Sequence, residues 1–134
     1  MAIRTLMISD EVFESVNDNN NRVKIDMRPR EIKEGQSPVE LLLSAIAGCA
    51  AVDIVVMLKK RRKTIQQFEI LTDGTRQEST PRYFTKIHSH YRITSPDVQE
   101  LELHKVAGLA LEKYCTVAAS LKSELSYSVE VIRA

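Results

Sequence analysis

Residues 41–58, LLLSAIAGCAAVDIVVML, form an apolar run interrupted only by Ser44, Gly48 and Asp53. As a helix it is apolar on nearly every side and about 27 Å long at 1.5 Å per residue. Such a helix has two homes, a bilayer or a core that encloses it. Asp53 would be costly in lipid. The flanking segments alternate as strands do, and the run is rich in Ala and Gly rather than uniformly bulky. A buried core helix is therefore expected, and no membrane partner. A chain of 134 residues offers few elements to surround it. A homodimer that shares its core follows, with small residues at Ser44, Ala47, Gly48 and Ala51 allowing close helix approach.

The ends of this helix are marked. Ser37 suits the N-cap, Pro38 the first helical position, and Glu40 completes S-x-x-E, a capping box. The helix should reach about Lys60. KKRRK, residues 59–63, then complements the C-terminal end of the helix dipole. Nineteen basic residues face eighteen acidic ones, a net charge of +1, so no overall field draws the chain to nucleic acid.

Around the helix the pattern has period two. Residues 3–27 read as a strand meander, with Val23, Ile25 and Met27 on one face and DNNNR (18–22) as a turn. Phe68 and Ile70 belong to a strand ending in a turn at Asp73-Gly74. In RYFTKIHSHYRIT, Tyr83, Ile87, Tyr91 and Ile93 alternate with Lys86, His88, His90 and Arg92. A second helical region is expected from Ser95-Pro96-Asp97. Its inward face is Val98, Leu101, Leu111, Tyr114, Ala118, Leu121 and Leu125, with Gly108 a weak point. SYSVEVI closes the chain as a strand. The order predicts an α+β fold in one domain, 1–134.

The chemistry-bearing residues are few. G-x-S-x-G, P-loop, G-x-G-x-x-G and H-E-x-x-H motifs are absent. His88 and His90 share a strand face with Lys86 and Arg92, which reads as a solvent face, so no metal or cofactor is expected. Two cysteines are too few for a secreted disulfide framework. The N-terminal segment lacks a basic stretch followed by a long apolar one, and a cytoplasmic location is expected. Cys49 lies mid-helix, and Cys115 lies on the expected inward face of the second helical region. A free cysteine in such places is ordinarily a small hydrophobe. Asp53, one turn beyond Cys49, changes that setting, because burial and a nearby negative charge both raise a thiol pKa. A reactive Cys49 then needs a cation, and Arg28 and Arg30 precede the helix. An arginine bridging Asp53 and the Cys49 sulfur would complete a site. Glu40 lies on the opposite side of the helix from Cys49.

SPVELLLSAIAGCAAVDIV (37–55) resembles the central-helix signature of the OsmC/Ohr family, the osmotically inducible and organic hydroperoxide resistance proteins. EKYCTVAASL (112–121) resembles its second cysteine motif, and the strand order fits as well. The S-P-x-E-L and V-D pattern resembles a less characterised branch. The resemblance implies an intertwined homodimer with an OsmC-like fold. It also implies a thiol peroxidase active in oxidative stress defence, with Cys49 peroxidatic and Cys115 resolving. The implied substrate is an organic hydroperoxide and the implied reductant an external dithiol such as a dihydrolipoyl group. Val39 stands where active members carry glutamate, and Thr116 where they carry proline after the second cysteine. Their catalytic arginine corresponds to Arg28 or Arg30. The alternative is a dimeric small-molecule binding protein of the same family with vestigial cysteines.

Overall fold

The structure, a computed structural model, describes residues 1–134. The chain divides into two compact units, Met1–Leu42 and Leu43–Ala134.

The first unit is an antiparallel meander, β1 (Arg4–Ser9), β2 (Val12–Val16) and β3 (Arg22–Asp26), as the alternation predicts. The β2–β3 turn is built by Asn17, whose Oδ1 accepts from the Asn19 and Asn21 amides at 3.1 and 2.8 Å. Asn20 takes the left-handed conformation there, φ 66°, which asparagine tolerates. Fully buried Asp26 ends β3 and receives four hydrogen bonds. They come from the Arg28 amide (3.0 Å), Arg28 Nε (3.0 Å), Arg28 Nη2 (2.8 Å) and the Glu34 amide (2.8 Å). The Arg28 guanidinium holds the Asp26 carboxyl well below the usual carboxylate range. A capping box opens helix α1 (Pro38–Lys60), which runs on into the second unit. Glu40 Oε1 accepts from the Ser37 amide (2.9 Å) and hydroxyl (2.8 Å), and Ser37 Oγ accepts from the Glu40 amide (3.3 Å). These bonds hold the Glu40 carboxyl down at about 2.

In the second unit, β4 (Gln67–Arg76) and β5 (Phe84–Ser95) form a hairpin, and β6 (Glu124–Arg133) pairs in parallel with β5. A parallel neighbour needs a crossover. It is made by α2 (Glu100–Leu109), a π-helical turn (Ala110–Tyr114) and α3 (Thr116–Ala119). Ala50, Ile54 and Leu58 of α1 are fully buried in one core with Tyr91, Ile93, Val98, Leu103, Val106, Ala107 and Ala110. Each large side chain so buried contributes about 1.5–3 kcal/mol. On another side of the same helix, Ala45, Gly48, Val52 and Val56 are exposed, Val52 at 64%. By length and composition the helix is long and apolar enough to cross a membrane. One buried stripe against a sheet is the environment the chain itself gives it.

Four details differ from the sequence reading. Asp73-Gly74 is not a turn: β4 runs through it, and the reversal lies at residues 77–83. Gly74 is there for closeness, since a Cβ would sit 2.5 Å from the Phe84 ring. Ser95-Pro96-Asp97 does not cap α2, which starts at Glu100. Ser95 Oγ instead donates to the Thr64 carbonyl (2.6 Å), and Asp97 Oδ1 accepts from the Thr64 amide (2.9 Å), tying the end of β5 to the segment after α1. Leu101 and Tyr114 do not face inward but are 82% and 52% exposed. Leu103, Val106, Ala107 and Ala110 take the inner face, because the helix starts later than expected. Gly108 is a contact point rather than a weak one: a Cβ would meet Tyr127 Oη at 2.5 Å.

Two residues of the basic run are paired locally. Arg61 and Lys63 reach Glu102 at 3.4 and 3.6 Å, and Lys63 donates to the Asp97 carbonyl at 3.1 Å. His88 and His90 are tied into β6. His88 contacts the Ser126 and Ser128 hydroxyls at 2.7 and 2.9 Å. His90 contacts Ser128 at 2.7 Å and Glu130 at 3.0 Å.

Candidate functional site

Cys49 sits on a regular turn of α1, next to fully buried Ala50, and is itself half-buried. Cys115 is reached differently. It does not lie on a helix face, because the second helical region breaks there. After the π-helical turn, Cys115 is extended (φ −71°, ψ 107°) and caps α3, its Sγ accepting from the Ala118 amide at 3.3 Å. It is buried. Both thiols are free.

The break aims the start of α3 at Cys49. The Val117 amide is the main influence that lowers the Cys49 thiol pKa. The Cys115 side chain and the Thr116 amide add to it, against desolvation and the negative charge of Asp53. Hydrogen bonds to a charged form favour that form. Cys115 moves the other way: burial pushes its thiol up, and the neighbouring Cys49 pushes it further. The pair is therefore polarised. Cys49 is the sulfur that ionises first, and Cys115 remains a thiol that donates toward it.

The structure thus brings together Cys49, Cys115 and Asp53. Asp53 is half-buried, and its charge opposes Cys49 ionisation. In the first unit, the Arg28 fork is taken by Asp26 and also reaches Glu34 Oε1 at 3.2 Å. Its own pKa is raised by that partnership. Arg30 is exposed. The sequence reading missed the amides of Thr116 and Val117, because main-chain donors carry no residue signature. The one available hint was the identity of residue 116. A proline there would have no N–H to offer, and threonine has one.

The OsmC-like protein family model matches residues 31–130, a span that holds Asp53 and both cysteines. The chain belongs to the OsmC-like family. Protein YhfA of Escherichia coli (strain K12) is 36% identical over 100 residues, which cover 73% of this chain and 75% of YhfA. Among solved structures, an OsmC-like protein from Mycoplasma pneumoniae superposes with a TM-score of 0.82 at 23% identity. That match covers 98% of this chain and 96% of the other. The organic hydroperoxide resistance protein OhrB of Bacillus subtilis superposes with a TM-score of 0.62 at 14% identity, covering 98% of each chain. These likenesses place the mixed α+β architecture, with its two sheets and long helix, in the OsmC fold.

Proposed function

We propose that this OsmC-like chain is a thiol peroxidase that reduces organic hydroperoxides through Cys49 and Cys115. The observation that carries the reading is the polarised sulfur pair. Two main-chain amides and the Cys115 thiol favour the Cys49 thiolate, and the thiol needed to resolve an oxidised Cys49 already lies beside it. The fold shared with OhrB supports the reading at the level of architecture.

The chemistry balances in three steps. The Cys49 thiolate attacks the distal oxygen of ROOH; the O–O bond breaks, and ROH leaves once its alkoxide takes a proton. Cys49 is now a sulfenic acid. The Cys115 thiolate attacks that sulfur, forming the disulfide and releasing hydroxide, which leaves as water. An external dithiol reduces the disulfide by exchange and is itself oxidised to a disulfide. Closing the bond requires the two sulfurs to approach to about 2.05 Å. Burial and the charge of Asp53 oppose the thiolate, and the amides and the Cys115 thiol act against both.

The exposed stripe Ala45, Gly48, Val52 and Val56 supports a homodimer that covers α1, with the whole chain acting as one OsmC-like domain. Two free thiols fit a reducing compartment, the cytoplasm.

Thiol titration before and after one equivalent of cumene hydroperoxide tests the reading. Loss of both thiols without intermolecular cross-linking is expected. Cys115→Ser should stop at a trappable sulfenic acid on Cys49, and Cys49→Ser should consume no peroxide. Survival of both thiols in the parent chain would overturn the peroxidase and favour a family binding protein with vestigial cysteines.

A further inference from the structure

The outer face of the second sheet carries a hydrogen-bonded chain that the thiol chemistry does not use. It runs Ser126, His88, Ser128, His90, Glu130. His88 Nδ1 lies 2.7 Å from Ser126 Oγ, and His88 Nε2 lies 2.9 Å from Ser128 Oγ. His90 Nδ1 lies 2.7 Å from that same Ser128 Oγ, and His90 Nε2 lies 3.0 Å from Glu130 Oε1. One nitrogen from each ring therefore converges on a single oxygen. The backbone sets this up. Positions 88 and 90 alternate onto one face of β5, and the parallel register puts Ser126 beside His88 and Ser128 beside His90. Alternation in the sequence shows the shared face but not the shared focus.

With both rings neutral, the protons have one consistent order. A carboxylate only accepts, so His90 Nε2 carries the hydrogen and donates to Glu130. His90 Nδ1 then presents a bare lone pair, to which the Ser128 hydroxyl donates. Ser128 Oγ in turn accepts from His88 Nε2, and the Ser126 hydroxyl donates to His88 Nδ1. Each ring is thus held at its rear nitrogen, by Glu130 or by Ser126, while its front nitrogen points at the common oxygen. Metal-ligating histidines are braced in the same way, the rear N–H resting on a carboxylate or another oxygen. The surrounding charge suits a cation. Strand register places Glu69, Asp73, Glu124 and Glu130 around Lys86 and Arg92, and Arg92 is already paired with Glu69 at 3.0 Å.

We propose that His88 Nε2 and His90 Nδ1 form a surface chelate for an imidazole-preferring divalent ion of the nickel(II), copper(II) and zinc(II) class, with water completing its coordination. The site stands apart from the two cysteines and does not depend on the peroxidase reading. An ion near the position of Ser128 Oγ, bonded to nitrogen at about 2.0–2.1 Å, asks each ring to close by less than about 1 Å. The Ser128 hydroxyl must turn aside. His90 already offers its lone pair. His88 moves its hydrogen to Nδ1 and donates it to Ser126 Oγ, since a hydroxyl accepts as readily as it donates. No proton leaves the site.

The test titrates the whole chain with nickel(II) by calorimetry. Nickel is the probe because thiolates select zinc and copper(I), and the chain has two free thiols. Saturable binding of one ion per chain is expected, in the micromolar range. His88→Asn and His90→Asn should each weaken it by about a hundredfold, the advantage of two linked donors over one. Glu130→Ala removes the brace behind His90 and should cost about tenfold. His104→Asn, which alters the third histidine of the chain, should change nothing. In the unaltered protein, paramagnetic nickel should broaden the amide resonances of His88, His90, Ser126 and Ser128 before any others, a readout that does not depend on how the variants fold. Lack of saturable binding, broadening centred elsewhere, or an equal loss from His104→Asn would overturn the proposal and leave an adventitious ion only.

Discussion

Helix α1 and the crossover from α2 to α3 each carry one cysteine, and they do so by opposite means. The first is one unbroken helix, 23 residues from cap to basic end, with its thiol on an ordinary turn. The second loses its regularity at a π-helical turn, breaks at Cys115, and restarts for four residues. Regularity gives α1 a stable stripe of buried side chains and leaves Cys49 without donors of its own, since helix amides are already spent on carbonyls. Irregularity frees the amides of Thr116 and Val117 to face the Cys49 sulfur. One segment holds a reactive atom still, and the other supplies the hydrogen bonds that make it reactive.

The sharpest separation of these roles comes from Ile54→Ala. Ile54 is fully buried on the inner stripe of α1, one residue beyond Asp53. The cavity should cost about 2–5 kcal/mol of stability by denaturant unfolding. A loss under about 1 kcal/mol would mean that the stripe is not the packed face. Thr116→Pro is the complementary change. Proline is tolerated at the first position of a helix, so α3 should persist. One amide aimed at Cys49 disappears, and alkylation of Cys49 at neutral pH should slow by about three- to tenfold with little change in stability. An unchanged rate would remove the Thr116 amide from the account and leave Val117 alone.

The same contrast explains what could be read from the sequence. Much that period and punctuation govern was legible: the meander, the capping box of Ser37 and Glu40, the extent of α1, and the alternating faces of β5; the period failed at Leu101 and Tyr114, which are exposed. Errors fell where a residue does something other than its commonest task. Gly74 and Gly108 are glycines for closeness to Phe84 and Tyr127, not for bending. Ser95 and Asp97 carry the letters of a helix cap but serve Thr64, which lies 31 residues before Ser95 in the chain. In the candidate site, Cys49, Cys115 and Asp53 were visible as side chains. The amides facing Cys49 were not, because the break at Cys115 has no proline or glycine to announce it.

The two thiols are polarised, the Cys49 pKa lowered and the Cys115 pKa raised. The direct measurement is the alkylation rate of each cysteine across pH, read separately by peptide mass spectrometry. A free thiol ionises near pH 8.5. The Cys49 pKa is lowered by the Val117 and Thr116 amides and the Cys115 thiol, so its rate should rise to half-maximum below that value. The Cys115 pKa is raised by burial and by Cys49, so its rate should climb only above it. Two coincident profiles, or Cys115 reacting at the lower pH, would contradict the account.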